Sequence, residues 1–373
     1  MTTNFEANQP FDCRRFRCFL FLFFLLTLVR PCLFAAAGES GEILPAALLI
    51  HGKTLYAAAP DAGTITAYDL TNPTAPKAAA VFHTDNSPCS LVVEGTRLYA
   101  VDTQELYVFD IADPGTLKLV SRKKISSDPL SGPVAVILRE GDVCLARRVA
   151  GVFLNDEPAA KFYARCLAKS PGNRLFAAGP RTISSVETSS DVLSVPVLKG
   201  TPVSMMFHGS DLYIAMGFHG LTVLRDAADL CSVWEPGSIR KNTGAFRRAV
   251  WPRGGGFNWE EASLVSHESG PLGRFALSDT FVCGMVFTEQ PAGYMLLAAG
   301  GSGVLTADLT APAKIRFVAE CAGLIGRFCL GITLKDRLAY VYERGRGLLV
   351  LDASDPLNVK LIENGPTAQE AGK

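Results

Sequence analysis

The chain has 373 residues, of which 48% are hydrophobic, and its mean hydropathy is +0.21, so it holds enough apolar material for a sizeable core. Lysine plus arginine equals aspartate plus glutamate, at 36 each, which gives no general basis for binding a polyanion such as nucleic acid. Only 19% of the residues are charged, and 34 glycines and 22 prolines argue against helix bundles, coiled coils and disordered chains. The composition predicts a folded, turn-rich and mainly β protein.

Residues 1–37 have the pattern of a secretory signal. Three arginines between positions 14 and 17 precede an apolar run of 12 residues, Cys18–Val29, which is shorter than the ~20 residues that cross a bilayer. Ala35-Ala36-Ala37 then provides small residues of the kind that precede a signal-peptidase cut. The pattern predicts export with cleavage after Ala37. An uncleaved membrane anchor is the alternative, because the basic region is long and Arg30 is awkwardly placed.

An internal repeat dominates the remaining chain. Three segments align by eye: "SPCSLVVEGTRLYAVDTQELYVFDIADP" from Ser87, "TPVSMMFHGSDLYIAMGFHGLTVLRDAAD" from Thr201 and "RFCLGITLKDRLAYVYERGRGLLVLDASDP" from Arg327. Each reads as three short strands separated by turns and ending in an Asp-rich turn, and a fourth strand follows. Four short strands per unit are typical of a propeller blade. We therefore predict an all-β fold, a β-propeller of four-stranded antiparallel blades.

The repeated aspartates at the ends of the third strands are interpreted as turn formers rather than as a catalytic series. The clearest cases are Asp110-Ile111-Ala112-Asp113-Pro114 and Asp352-Ala353-Ser354-Asp355-Pro356. A carboxylate here can accept a hydrogen bond from the backbone two residues on, while proline stops the strand because it has no N–H to donate.

On these segments, the chain resembles the LVIVD-repeat family of bacterial extracytoplasmic β-propellers, from about Pro45 to Glu363. The resemblance is strong in the second and last units and weak in the third and fourth. It implies a propeller and export. It implies no defined reaction, and the family offers no catalytic residues to transfer to this sequence.

The spacing of the repeat predicts seven blades, with eight as the alternative. Third strands are expected to end at Asp69, Asp110, Asn155, Glu187, Arg225, Asp308 and Asp352. One interval, between Arg225 and Asp308, spans 83 positions, about twice the others. We therefore predict a propeller over residues 38–366, with an inserted segment or an eroded blade at about 240–278, and a C-terminal tail at 367–373.

The cysteines are predicted to be packing residues and not metal ligands. Cys89, Cys166 and Cys329 fall at the start of the innermost strand, where Val134 and Val203 stand in other units. A position that accepts Cys or Val is a small buried site. After residue 37 seven cysteines remain, an odd number without a Cys-x-x-Cys pair, so neither a disulfide framework nor a zinc knuckle is expected.

Charged turn residues are the candidates for ligand binding. In a propeller, the turns between second and third strands and the connections between blades emerge on one face, around the mouth of the central channel. Polar side chains that converge on such a concavity suit a binding site, although hairpin turns are commonly polar. The residues predicted on this face are Asp61, Asp102, Arg147, Arg148, His219, Arg344 and Arg346.

The stretch from 240 to 259 departs most from the repeat. It carries Arg248 and other basic residues, and Trp251 and Trp259 flank three consecutive glycines. Exposed aromatic rings and arginines on a glycine-rich loop suit sugar stacking or an anionic partner. An eroded blade with its tryptophans in the core is the competing interpretation.

These observations favour an exported, non-catalytic propeller that binds a protein or polysaccharide through the channel-mouth face, without a cofactor, a metal ion or nucleic acid. A membrane is involved only if the N-terminal segment is retained as an anchor. The alternative is a secreted or periplasmic hydrolase or lyase with its site at the channel mouth. Its best acid–base candidates are Glu260, Glu261 and His267.

The export hypothesis makes a simple prediction about the mature N-terminus. Because the alanine run Ala35-Ala36-Ala37 ends at Ala37, Edman sequencing of the exported protein should begin at Gly38. A full-length product that pellets with membranes would contradict cleavage and support the anchor instead.

Overall fold

The computed structural model describes residues 43–180, 182–186, 192–196, 201–224, 227, 280–310 and 315–362. These residues form β-strands, apart from connections and two single-turn 3-10 helices, Pro129–Ser131 and Ala322–Leu324. In this part of the chain no helix is both long enough and apolar enough to span a membrane. The predicted signal, the predicted segment at 240–278 and the C-terminal tail lie outside the described residues.

The first two sheets each contain four antiparallel strands in chain order. The first consists of β1 (Ala47–His51), β2 (Thr54–Ala59), β3 (Thr64–Asp69) and β4 (Lys77–His83). The second consists of β5 (Ser90–Glu94), β6 (Arg97–Val101), β7 (Glu105–Asp110) and β8 (Lys118–Lys124).

The next three sheets follow the same plan. The third contains β9 (Ala135–Arg139), β10 (Asp142–Ala146), β11 (Val152–Leu154) and β12 (Glu157–Ala160). The fourth contains β13 (Cys166–Lys169), β14 (Leu175–Gly179), β15 (Thr182–Val186) and β16 (Val192–Pro196). The fifth has three described strands, β17 (Ser204–His208), β18 (Asp211–Ala215) and β19 (Leu221–Leu224).

The remaining strands form one eight-stranded sheet made of two consecutive four-stranded meanders. The first meander is β20 (Thr280–Phe287), β21 (Tyr294–Gly300), β22 (Val304–Asp308) and β23 (Arg316–Glu320). The second is β24 (Cys329–Lys335), β25 (Leu338–Glu343), β26 (Gly347–Asp352) and β27 (Lys360–Leu361). A single residue pair, Gly300 with Cys329, joins them.

The first strands contact one another in a ring. β1 contacts β5, and the contacts continue through β9, β13, β17, β20 and β24 back to β1. Together with the four-stranded antiparallel meanders, this arrangement is a β-propeller, as predicted. The predicted number of separate blades, seven or eight, is wrong: the described residues form five separate blade sheets and one eight-stranded sheet. The reason is the Gly300–Cys329 pair, which no sequence spacing indicates and which fuses the last two meanders.

Burial is high in the second strands and lowest in the outer strands. Every residue of β2 is buried, because its two faces pack on neighbouring sheets, whereas every residue of β8 is exposed. Tyr56 and Ile65 of the first sheet pack against Leu98, Tyr107 and Phe109 of the second. The core therefore lies between sheets, where each fully buried large apolar side chain contributes about 1.5–3 kcal/mol.

The outer strands share a local irregularity. In four of them, the stretch paired with the third strand contains one extra residue, which forms a β-bulge. These four strands are β4, β8, β12 and β23. A bulge bends an edge strand and interrupts its row of free backbone groups, which discourages pairing with another chain.

The predicted turns at the ends of the third strands are confirmed. Asp110 Oδ1 accepts a hydrogen bond from the N–H of Ala112 at 3.0 Å, and Asp352 Oδ1 accepts one from Ser354 at 2.9 Å. Asp69 and Asp308 make the same bond, to Thr71 and Thr310. The hydrogen bonds from Ser354 hold the pKa of Asp352 below its usual value.

The predicted packing slot is also confirmed. Cys89, Cys166 and Cys329 are buried, as are Val134 and Val203 in the same slot. The Cys89 thiol lies 3.4 Å from the carbonyl oxygen of Val134 on the next sheet. Burial raises the pKa of Cys166 to about 12, so its thiolate is disfavoured.

Close packing at one turn yields a stability prediction. Gly151 has φ +102°, and a Cβ there would lie 2.1 Å from the carbonyl oxygen of Ala160. Gly141 in the same sheet has φ +86° but open space around its Cβ position. We expect Gly151→Ala to lower the free energy of unfolding by roughly 3 kcal/mol or more, and Gly141→Ala by only about 1–2 kcal/mol, because only the first combines strain with a clash. Urea unfolding of both variants measures the difference, and equal losses would contradict the close packing.

Candidate functional site

One end of the propeller gathers the turns between second and third strands and the connections between meanders, because consecutive strands are antiparallel. We call this end the mouth face. Its described connections are residues 60–63, 84–89, 102–104, 125–134, 147–151, 161–165, 180, 201–203, 216–220, 301–303, 321–328 and 344–346. Every described candidate from the sequence lies on it. Arg248, Trp251 and Trp259, and the enzymatic candidates Glu260, Glu261 and His267, lie outside the described residues.

Three turns of the mouth face share one hydrogen-bond pattern. The N–H of Arg147, Met216 and Ala299 donates to the carbonyl oxygen four residues later, at 2.8 Å in each case. The second turn residue is left-handed in all three, with φ +58° at Gly217 and +52° at Gly300 but also +43° at Arg148. Arg148 thus adopts a left-handed conformation that glycine adopts in the other two turns, at a cost of order 1–2 kcal/mol.

Contacts on the mouth face explain why arginine is kept at position 148. Its side chain is buried, and Nη1 donates to the carbonyl oxygen of Pro129 in the connection before the sheet. Its own carbonyl oxygen accepts the N–H of Ala164 at 2.9 Å in the connection after the sheet. Arg148 therefore ties together the two connections that flank the third sheet.

Arg147 holds the same connection from another side. Its Nη2 donates to the carbonyl oxygen of Ile125 at 3.2 Å and its Nε to that of Ser131 at 3.3 Å. The guanidinium carbon lies 4.1 Å from the centre of the Phe153 ring, within the range of a cation–π contact. Burial lowers the pKa of Arg147 from its ordinary value.

Asp102 is the centre of a buried polar network. Its Oδ1 accepts the N–H groups of Gln104 and Glu105, both at 2.7 Å, and its Oδ2 accepts the Tyr107 hydroxyl at 2.8 Å. The same hydroxyl lies 2.6 Å from Glu105 Oε2, which also binds Arg122. Burial, followed by the nearby carboxylates, raises the pKa of Tyr107.

Arg122 extends this network to the preceding connection. It bonds to Asp85 as well as to Glu105, and both carboxylates raise its pKa. The sequence singled out Asp102 but missed Glu105, Tyr107 and Arg122. The two-residue period of β7 places Glu105 and Tyr107 on one face, a signal that was present in the sequence.

The ring-closing side of the mouth face has its own carboxylates. Asp61 accepts the Tyr342 hydroxyl at 2.9 Å and the N–H of Gly345 at 3.0 Å. Glu343 is buried, lies 3.4 Å from Arg327 and 3.8 Å from Arg346, and its charge is balanced by them. Arg346 remains largely exposed, with 64% of its side chain accessible. Arg344 lies 5.8 Å from the ring of Phe328.

Exposed apolar side chains stand among these charges. Leu130 is 57% exposed, Val149 54%, Ile325 46% and Phe218 39%. Leu130 and Val149 are adjacent, since the N–H of Val149 donates to the carbonyl oxygen of Leu130 at 3.2 Å. Phe218 stands edge-on to Phe281 at 4.9 Å, next to the exposed His219. The sequence-based candidates for this face did not include these residues, because they were chosen among charged and polar turn residues.

The two ends of the propeller differ in charge. In the described mouth connections, basic residues outnumber acidic ones, seven to four. The basic residues are Arg147, Arg148, Lys161, Arg165, Arg327, Arg344 and Arg346, and the acidic ones are Asp61, Asp85, Asp102 and Asp128. The described connections at the other end reverse this ratio. There the acidic residues are Asp113, Glu140, Asp156, Glu289, Asp336 and Asp355, and the basic ones are Lys53, Arg174 and Arg337.

Comparisons with solved structures show the fold. The chain is similar to the β-propeller domain of Cps50 (Swd1) from Myceliophteria thermophila, with a TM-score of 0.55 and 10% identity over 83% of this chain and 96% of that one. It is similar to a catalytically inactive variant of virginiamycin B lyase from Staphylococcus aureus, solved with quinupristin, with a TM-score of 0.51 and 10% identity over 80% and 91%. It is also similar to YCF48 bound to D1 peptide, with a TM-score of 0.50 and 13% identity over 82% and 93%.

At these identities the likeness identifies a β-propeller and nothing more specific. No family model and no curated protein matches the sequence. Within the described ranges, no group of three or more histidine, cysteine, aspartate or glutamate side chains is placed to hold a metal ion.

The Asp102 network makes a testable prediction about stability. Asp102→Ala removes the acceptor of two buried N–H groups and of the Tyr107 hydroxyl, so the free energy of unfolding should fall by about 3–5 kcal/mol. Asp110→Ala removes one exposed turn bond and a half-exposed ion pair with Arg97 at 3.5 Å in the same sheet, and it should cost about 1 kcal/mol. Urea denaturation of both variants measures this. A small loss at Asp102, close to that at Asp110, would mean that the network does not hold the turn.

Proposed function

We propose that this protein is an exported, non-catalytic β-propeller that binds a protein or polysaccharide partner through the mouth face. The observation that carries the proposal is the set of exposed apolar side chains on the mouth connections: Leu130, Val149, Phe218 and Ile325. Large apolar side chains on connections rimmed by charge are characteristic of interaction surfaces.

The arrangement of the mouth face supports binding more than it supports chemistry. The polar side chains with the most contacts, Asp102, Arg147 and Arg148, hold connections in place. They therefore act as a rigid frame for neighbouring exposed groups, and rigid presentation lowers the entropic cost of binding. Arg344, Arg346 and His219 remain our candidates for contact with the partner.

Export and location form the second part of the proposal. They rest on the signal-like pattern of residues 1–37 and on the resemblance to the LVIVD-repeat propellers. Both support a location outside the cytoplasm, in the periplasm, at the cell surface or in the medium. YCF48, whose structure was solved with the D1 peptide bound, is a structural neighbour that sets a precedent for a protein partner.

A matched pair of variants tests the mouth face. In the first, Leu130→Ser and Phe218→Ser remove two exposed apolar groups, and in the control, Leu357→Ser removes one of similar exposure at the opposite end. We expect the parent to bind ligands on peptide or glycan arrays, and the double variant to lose tenfold or more in affinity, about 1.4 kcal/mol. The control should bind like the parent.

Circular dichroism must show that all three proteins are folded. Binding that survives the double variant, or that falls equally in the control, would place the binding surface elsewhere. If the parent bound to neither the peptide array nor the glycan array, the proposed function would be contradicted.

A further inference from the structure

The carboxylates of the mouth face are used within the protein. Asp102 and Asp61 each accept hydrogen bonds from backbone N–H groups and from a tyrosine hydroxyl. Asp128 accepts the N–H of Leu130 at 3.0 Å and the Ser131 hydroxyl at 2.8 Å, and Asp85 pairs with Arg122. These carboxylates keep their negative charges, and the seven basic residues of the described mouth connections still outnumber the four acidic ones.

Accessible cations remain on the same face. Arg346 is largely exposed, and its Nε lies 3.8 Å from Oε1 of Glu343, whose other carboxylate oxygen lies 3.4 Å from Arg327. Lys161 is exposed in the connection that follows the third sheet. Among the described connections, basic residues outnumber acidic ones only at this end, a charge pattern that favours an anionic partner and that the near-neutral chain as a whole lacks.

Exposed apolar groups lie in the same connections as several of the basic residues. Leu130 and Val149 adjoin the connection that Arg147 and Arg148 hold. Ile325 belongs to the connection that also contains Arg327. A partner that covers this surface must therefore bring both negative charge and apolar side chains.

We propose that the partner bound at the mouth face is an acidic protein segment that also carries aliphatic or aromatic side chains. This inference rests on the proposed function and specifies its partner. An acidic polysaccharide matches the charge and can stack on the exposed Phe218 ring, but it has no side chains to cover Leu130, Val149 and Ile325, which are aliphatic and form most of the exposed apolar set. A protein segment supplies both kinds of group.

The experiment begins with random peptides displayed on phage and selected on the immobilised full-length chain. We expect selected peptides to be enriched in aspartate and glutamate and in leucine, phenylalanine or tryptophan relative to the starting library. Peptides resynthesised with every acidic residue replaced by its amide should bind at least tenfold more weakly. A rising salt concentration should lower the affinity of the acidic peptides and leave the affinity of the amide versions nearly unchanged.

Charge-reversal variants then locate the binding surface. The double variant Arg346→Glu, Lys161→Glu should bind the selected peptides with at least tenfold lower affinity. Lys53→Glu with Arg337→Glu makes the same change in net charge at the opposite end, on exposed residues, and should change affinity less than about threefold. Circular dichroism confirms that both double variants are folded.

The outcomes separate this inference from the function on which it rests. Two results would keep a binding function but overturn the acidic protein partner. In the first, the selected peptides are neutral or basic. In the second, no peptide is selected, and the chain instead binds glycans on an array in a way that the mouth variants abolish. Equal losses in both double variants would also overturn it, because only the general charge would then matter. Failure of peptides and glycans alike would overturn both proposals.

Discussion

Closure of the ring is the constraint on which the rest of the structure depends. The last meander meets the first where the N–H of Ala46 donates to the carbonyl oxygen of Leu330 at 3.0 Å. Gly331 permits this approach, because a Cβ there would lie 2.2 Å from the carbonyl oxygen of Ala46. Tyr340 and Tyr342 add bonds to Pro73 and Asp61, across 267 and 281 positions of sequence. Contacts of such long range are entropically costly to form, because they close almost the whole propeller chain into a loop.

The same crowding explains the chemistry of the inner strands. Where first strands meet, the Cys283 thiol lies 3.3 Å from the carbonyl oxygens of Cys329 and Leu330. A small side chain fits there and a large one does not. Burial raises the pKa of Cys283 to about 12, so this thiol stays protonated at neutral pH and is a weak nucleophile. The inner-strand cysteines are therefore packing residues in the structure, as the sequence predicts.

The sequence predicted what repeats and missed what depends on single contacts. The four-stranded units, the turns at Asp110 and Asp352 and the small slot at Cys89 were predictable, because each is specified by a local pattern that recurs. The fusion of the last two meanders was not, since one residue pair creates it. The mouth face was located by topology, but its exposed apolar residues were missed. No local rule tells whether a turn residue such as Val149 or Arg148 faces solvent or a neighbouring connection.

The acidic and basic side chains of the mouth face differ in geometry. Aspartate is short, so Asp102 and Asp128 bond to the backbone of their own turns, and their carboxylates are held close to it. Arginine is long, and Arg147 and Arg344 lie over the rings of Phe153 and Phe328, where a ring face attracts a cation without neutralising it. A chain with 36 basic and 36 acidic residues can nevertheless place more basic than acidic residues in the described connections of one end. Composition cannot reveal this, because it counts charges without recording where in the fold each of them lies.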